Sequence, residues 1–566
     1  MRRSPVVRVP RWSPWLPAIL LYLGAALLLL VDLGGYPAAA YNWEVYSARG
    51  IWEFLAAPTL AYFAPTDGLM TDSGHTPLVV LPVVLSWRLA GANLLGLRLP
   101  IALLAALAVP LCWLVGRRLM GSWPAALGAA LLALSTAFVV YGRTATIVGL
   151  SLIPALMTIW LLARALEQPT ATRIALLQLA LIGNDWAYAP IRFLWPIAGA
   201  AFVCEFVLRR GLRRHFALAA LVTALVLPLF LYGVAIWTTH ATGDVARPQP
   251  AAVLRAYYNG RGEQVFAEDS GLYDLAAITP VVAHNAGDLL ALFFDRDTRP
   301  ALLDYWNPHG RLQPVLLVPF VLLGVGWMIV RARRASGARL LLIALVGFTL
   351  PILLTSNVHI GRLIYALPLL ALLAARGIAS VAEGIAWLLA RFGGAAMGRW
   401  HRPGTRWHTY GWHALLASLV LLAVAFGGWR EYTVELPLQA MVRGEGMLRA
   451  RAPELAADGR TAVILTNLAP QGLAPEDPAM EIYALVGYRL GLDRVYRFVD
   501  LDRDPVLDSS DPRALALLGG DPATILDRTA LCEAVYFAPE DVLTTLSART
   551  ASLGCARPPE VVLLPR

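Results

Sequence analysis

Eleven apolar runs, most of them near the length of a bilayer crossing, occupy most of the chain: 14–33, 97–116, 122–141, 146–164, 173–186, 191–208, 216–238, 313–331, 339–356, 362–382 and 412–428. A bilayer's hydrocarbon core is about 30 Å thick, which a helix crosses in roughly 20 residues. Inside lipid the backbone finds no water to bond with, so runs this long and this frequent are expected to fold as helical spans. Composition agrees: 58% of the 566 residues are hydrophobic and 15% are charged, where soluble domains carry about a quarter charged residues.

A twelfth run, "TPLVVLPVVLSWRLAG" at 76–91, is shorter and contains a proline. Arginine placement decides its role. All 47 lysine-plus-arginine residues are arginine, and the formal charge is +9. They gather in short loops between apolar runs, in "RRSPVVRVPR", "GRRLMG", "RALEQPTATR", "LRRGLRRH", "RARRASGAR" and "RFGGAAMGRWHRPGTRWH". Basic loops of this kind stay cytoplasmic, which accounts for the charge without nucleic acid as a partner. All six loops fall on one side if 76–91 dips into the membrane without crossing. The expectation is a polytopic α-helical protein of eleven spans plus a half-span, about 11–12 in all, in the plasma membrane. The N-terminal run is read as an uncleaved first span, since it is long for a signal-peptide core and lacks a small-residue cleavage site.

This parity puts loops 34–75 and 239–312 and everything from 429 onward on the outer face. Residues 1–428 form the membrane module, and 429–566 change character. "TAVILT", "DRVYRFV", "EAVYFA" and "EVVLLP" read as strands, with helices expected in "AMEIYALVGYRL" and "PEDVLTTLSARTAS". Strands alternating with helices predict a small extracytoplasmic α/β domain. Its Cys532 and Cys555 could bridge in an oxidising compartment, whereas Cys112 and Cys204 lie in apolar runs.

One carboxylate stands out. In "YNWEVYSARGIWEFLA", Tyr41, Val45, Ala48, Trp52 and Leu55 share a helical face, and Asn42, Tyr46, Arg49 and Glu53 share the other. Glu44 projects about 60° from the centre of the apolar face, by the helical period. A helix lying on the outer surface would turn that carboxylate into the bundle, unless Arg49, one turn on, satisfies it.

The order of motifs resembles the GT-C membrane glycosyltransferases, in particular glycosyltransferase family 39 (protein O-mannosyltransferase-like) and the aminoarabinose-transferase group. The matching pieces are "NWEVYSARG" after span one, "GHTPLVVLP", "LRLPIALLAAL" with its trailing "GRRLMG", "NDWAYAPIRFLWP" and "GRLIYALPLLALLAARG". The resemblance covers roughly residues 10–430 and implies a GT-C-like fold. It also implies transfer of a sugar from a polyprenyl-phosphate carrier to an acceptor hydroxyl at the outer face, the acceptor being a cell-envelope lipid, glycan or protein. Phosphate is a good leaving group, so this chemistry needs one proton acceptor and cations for the phosphate, not the two carboxylates of soluble glycosidases.

The family's first outer loop carries adjacent Asp-Glu, the Asp being its base. Here that position is Trp43, or Asn42 if shifted by one, and only Glu44 remains. The resemblance therefore implies Glu44 as the catalytic group. It implies Arg143, Arg192 and Arg362 as phosphate contacts, with Asn42, Asp72, His75, Asp185 and Tyr188 as further substrate contacts. Each has a plainer alternative: snorkelling arginines at span ends, a turn for His75, a helix cap for Asp185. Asp67 and Asp72 are the reserve candidates for the base. Asp72 and His75 have i, i+3 spacing compatible with a divalent metal, yet two ligands are too few to define a site. No Walker loop, dinucleotide glycine motif or zinc-spaced Cys/His cluster occurs. Two other classes compete. A transporter or flippase would concentrate ionisable residues near mid-span, and a lipid-carrier-binding scaffold without catalysis would tolerate the missing Asp.

Overall fold

The computed structural model describes residues 15–33, positions 44, 47, 51, 54, 55 and 58, then 76–91, 94–242, 275–294, 314–354, 358, 360–392 and 406–430, and four strands near the C-terminus. Every one of the eleven apolar runs is helical within these residues. Among the described residues eight helices are long and apolar enough to cross a membrane, and a ninth would be a bent pair. The chain is a mostly helical, multi-pass membrane protein.

The first helix, α1 (Leu16–Leu30), is followed by α2 (Pro77–Ala90), which is the 76–91 run. At 14 residues α2 reaches about 21 Å, short of a full crossing. Thr76 caps it, its hydroxyl accepting from the Leu78 N–H, and Pro77 sits in the first turn, where a missing N–H costs nothing. The 97–116 run is broken into α3 (Leu94–Ala105) and α4 (Ala108–Met120). The 122–141 run becomes α5 (Ser122–Ala133) and α6 (Thr136–Arg143), bent by 60°. A single turn, α7 (Ile147–Leu150), leads into α8 (Leu152–Glu167).

α9 (Ala171–Gly183) gives way to two 3-10 turns, Asn184–Trp186 and Ala189–Phe193, before α10 (Leu194–Leu208). There follow α11 (Arg213–Thr242), α12 (Leu275–Phe294), α13 (Val318–Ala332), α14 (Ser336–Thr349), α15 (Ala366–Phe392) and α16 (Arg406–Arg430). Further 3-10 turns, Leu350–Leu354 and Ile360–Leu363, join α14 to α15. α13 and α15 pack closely because two glycines face each other's neighbour. A methyl at Gly324 would fall on the Leu373 carbonyl, and one at Gly377 on the Phe320 carbonyl.

The C-terminal strands are β1 (Ala462–Leu465), β2 (Tyr496–Val499), β3 (Val535–Pro539) and β4 (Glu560–Leu564). They form one parallel sheet in the order β2-β1-β3-β4, with Ala462 opposite Tyr496 and Val535, and Val535 opposite Glu560. All four are the expected segments, and parallel pairing requires long crossovers between them. The helices expected there, and Cys532 and Cys555, lie outside the described residues.

Candidate functional site

Two ends of the bundle can be told apart by their contacts. Glu44, Arg192 and Arg362 lie on one; Arg118, Glu167 and Arg209 lie on the other. At the first end the described positions of the 44–55 segment, Glu44, Ser47, Ile51, Phe54 and Leu55, fall within an arc of about 100° at the helical period. Glu44, Ser47 and Ile51 are fully buried. Glu44 is thus buried with its described neighbours; Tyr41, Val45, Ala48 and Trp52, which define the expected apolar face, lie outside the described residues.

Glu44 is bound on both oxygens. Arg98 of α3 donates from Nε to Oε1 at 2.8 Å and from Nη2 to Oε2 at 2.7 Å, and both side chains are fully buried. The Ala145 N–H adds a third donor to Oε1 at 2.8 Å. Ala145 lies in the break between α6 and α7, where the helical ladder is interrupted and its N–H needs another acceptor. Arg98 Nη1 also reaches the Leu33 carbonyl at 3.5 Å. One carboxylate therefore fastens the segment after α1 to α3 and to the α6–α7 break. Its described partners are Arg98 and the Ala145 N–H; Arg49 lies outside the described residues.

Arg143 closes α6 and turns to α1. Its Nη1 donates to the Val31 carbonyl at 2.5 Å and to that of Leu28 at 3.4 Å, and its Nη2 to that of Asp32 at 3.0 Å. The last carbonyls of a helix have no partner inside it, and a guanidinium there also meets the negative end of the dipole. Asp32 has φ +50°, a left-handed conformation that ends α1 and which Asp tolerates better than most residues.

A second group joins α2, the two 3-10 turns and the start of α15. Thr76 donates from its hydroxyl to the Trp186 carbonyl at 2.5 Å. Tyr365 donates to the Tyr188 carbonyl at 2.9 Å and stacks on Phe348 at 5.3 Å. Asn184 Nδ2 donates to the Thr158 hydroxyl at 3.0 Å. Asp185 and Arg192 are buried on these turns, and Arg362 is half-buried on Ile360–Leu363. The structure so brings the neighbourhoods of Thr76, Asp185, Tyr188, Arg192 and Arg362 to one end of the bundle. Asn42, Asp72 and His75, with Asp67, lie outside the described residues. No group of three His, Cys, Asp or Glu suited to a metal occurs among the described residues.

Arg98 is the residue whose role sequence reasoning missed. It stands inside the quoted "LRLPIALLAAL", and a lone arginine in an apolar run signals a buried partner. Tyr365 and Thr76 carried no such signal, since both act through backbone carbonyls.

Comparison with curated proteins returns no match. Among solved structures the chain is similar to the Archaeoglobus fulgidus oligosaccharyltransferase AglB, in complex with an inhibitory peptide and a dolichol-phosphate. The identity is 15% over 85% of this chain, with a TM-score of 0.46, and the chain spans 64% of that protein's length. It is also similar to ArnT from Cupriavidus metallidurans, bound to undecaprenyl phosphate, at 16% identity over 83% of this chain and 84% of that one, with a TM-score of 0.48. Residues 74–237, from just before α2 into α11, match the dolichyl-phosphate-mannose-protein mannosyltransferase family.

Proposed function

We propose that the chain is a membrane glycosyltransferase that moves a sugar from a polyprenyl-phosphate-linked donor to an acceptor hydroxyl at the outer face of the plasma membrane. The observation that carries this reading is the family match over 74–237, the stretch whose 3-10 turns hold Asp185, Tyr188 and Arg192 beside Thr76. The bound undecaprenyl phosphate of ArnT and dolichol-phosphate of AglB support the donor class. In this reading the acceptor oxygen attacks the anomeric carbon, the bond from that carbon to the phosphate oxygen breaks, and the polyprenyl phosphate departs. Arg192 and Arg362 meet the charge that develops on it. Asp185 and Tyr188 line the donor, and Asn42, Asp72 and His75 contact substrate from the first outer loop.

Glu44 takes a positioning part. Three donors already hold its two oxygens in a fully buried place, which an incoming acceptor hydroxyl would have to displace. The proton acceptor then falls to Asp67 or Asp72. Arg143 holds the end of α1 in place, and the 429–566 α/β domain stands on the outer side, where the acceptor arrives. The closure of Glu44 also favours a second reading, a lipid-carrier-binding scaffold without transfer.

Purified protein incubated with labelled polyprenyl-phosphate sugars and cell-envelope fractions separates them. Label moving to an acceptor supports the transferase, with the sugar and acceptor identified by which pair reacts. Retention of the donor without transfer supports the scaffold, and neither binding nor transfer refutes both.

A further inference from the structure

The opposite end of the bundle carries an array that the transfer reading does not use. Residues 205–215 and 331–339 contain eight arginines and one carboxylate, Glu205. Glu205 is buried and joins these two loops, remote in sequence, into one surface. Arg339 donates to its Oε1 from Nε at 2.8 Å and from Nη2 at 2.5 Å, and from Nη1 to the Ala332 carbonyl at 2.7 Å. Arg209 Nε lies 3.9 Å from Oε2.

The outlying guanidinium groups are held by carbonyls and rings. Arg209 donates to the Leu166 carbonyl at 2.7 Å and sits 5.6 Å from the Phe216 ring centre. Arg213 donates to the Phe206 carbonyl at 3.2 Å and covers the Phe206 ring at 5.7 Å. Arg331 covers Trp327 at 4.7 Å. Such contacts fix direction; Arg209 shares the Glu205 carboxylate at 3.9 Å, while Arg213 and Arg331 have no carboxylate partner among the described residues. A set of independent, solvated topology anchors would need neither the shared buried carboxylate nor the fixed orientation. Immediately beside them α10 exposes Val203 and Val207, and α11 exposes Leu218 and Leu221, a wall suited to acyl chains.

We infer that this patch is a binding site for an anionic phospholipid of the adjoining leaflet. Its phosphate lies among Arg209, Arg213 and Arg331, and its tails lie on the exposed apolar face of α10 and α11. Fixed guanidinium forks match phosphate oxygens, and basic surfaces between spans bind lipid head groups in this way. The site goes beyond the transfer reading and stands whether or not the chain transfers sugar.

The test is native mass spectrometry of the full chain in detergent, with phosphatidylglycerol or phosphatidylcholine added. Phosphatidylglycerol should bind at least about 10-fold more tightly. Arg213→Gln/Arg331→Gln should abolish the preference, and Arg331→Gln alone, which gives up only a ring contact, should weaken it if the double variant fails to fold. Arg210→Gln/Arg334→Gln removes the same charge from exposed positions whose side chains make none of the described ring or carbonyl contacts, and should retain most of the preference. Equal losses from the two double variants would mean a diffuse field and overturn the site. Absence of any preference, or displacement of the lipid by millimolar inorganic phosphate, would overturn it as well.

Discussion

Replacing Glu44 by Gln is the obvious way to remove a suspected base, and the structure turns that substitution into something else. The amide oxygen can still accept from Arg98 Nε and the Ala145 N–H, but the amide NH2 then faces the Arg98 Nη2 donor. At 2.7 Å two unit charges attract by about 6 kcal/mol at an effective dielectric of 20. Desolvation offsets part of this, and loss of one partner from a buried pair costs about 3–5 kcal/mol. Glu44→Gln should therefore lower the thermal unfolding midpoint in detergent, and Arg98→Gln should do so similarly. The double variant Glu44→Gln/Arg98→Gln removes both charges together and lets the two amides bond, so it should recover to within about 2 kcal/mol of the parent. Transfer rate, measured on folded protein, should follow the same pattern. If Glu44→Gln unfolds like the parent, the pair does not support the fold as argued. If the double variant recovers stability but not transfer, Glu44 is the proton acceptor after all.

The other predictions concern separate contacts. Arg143→Met should cost about 2–3 kcal/mol by releasing the carbonyls at the end of α1, and Arg143→Lys should restore little because an ammonium cannot span three acceptors; unfolding midpoints decide both. Gly377→Ala should destabilise by at least about 1–3 kcal/mol, since the added methyl meets the rigid Phe320 carbonyl, and an unchanged midpoint would refute the close crossing of α13 and α15. Arg192→Ala and Arg362→Ala should each weaken retention of labelled donor by about 10-fold or more, together with rate; wild-type retention would take them out of the phosphate site. Cysteine-accessibility labelling at positions 117 and 118 should find both cytoplasmic, and labelling from outside would invert the proposed sidedness.

The sequence made the membrane class and the positions of the helices legible, because lipid admits few backbone solutions and long apolar runs announce them. It did not make the breaks legible: α5 and α6 part at Leu134 and Ser135 with no proline there, and the 60° bend depends on packing from elsewhere. Glu44 was readable as inward-facing from its place beside the apolar face. Its partner was not, since Arg98 is 54 residues away and no local rule couples them. Arg143 at a span end looked suited to a lipid phosphate; the unfilled carbonyls of α1, invisible in a linear reading, hold it in the structure. The C-terminal strands were legible from their β-branched and aromatic content, their order in the sheet was not.

The Glu44–Arg98 pair also constrains how the chain can be oriented. Glu44 leaves the ribosome first, and Arg98 follows inside the apolar helix α3. Arg98 stands near the end of its span, where an unpaired guanidinium costs less than the about 2.5–3.5 kcal/mol of a helix centre but is still unfavourable. The segment bearing Glu44 must reach the same end of the bundle as Arg98 if the two charges are to be buried together. An inverted first span would strand both, leaving a carboxylate on one side and an uncompensated guanidinium in lipid. The buried pair thus ties the orientation of the first segment to that of α3, since neither charge is compensated unless both reach the same end of the bundle.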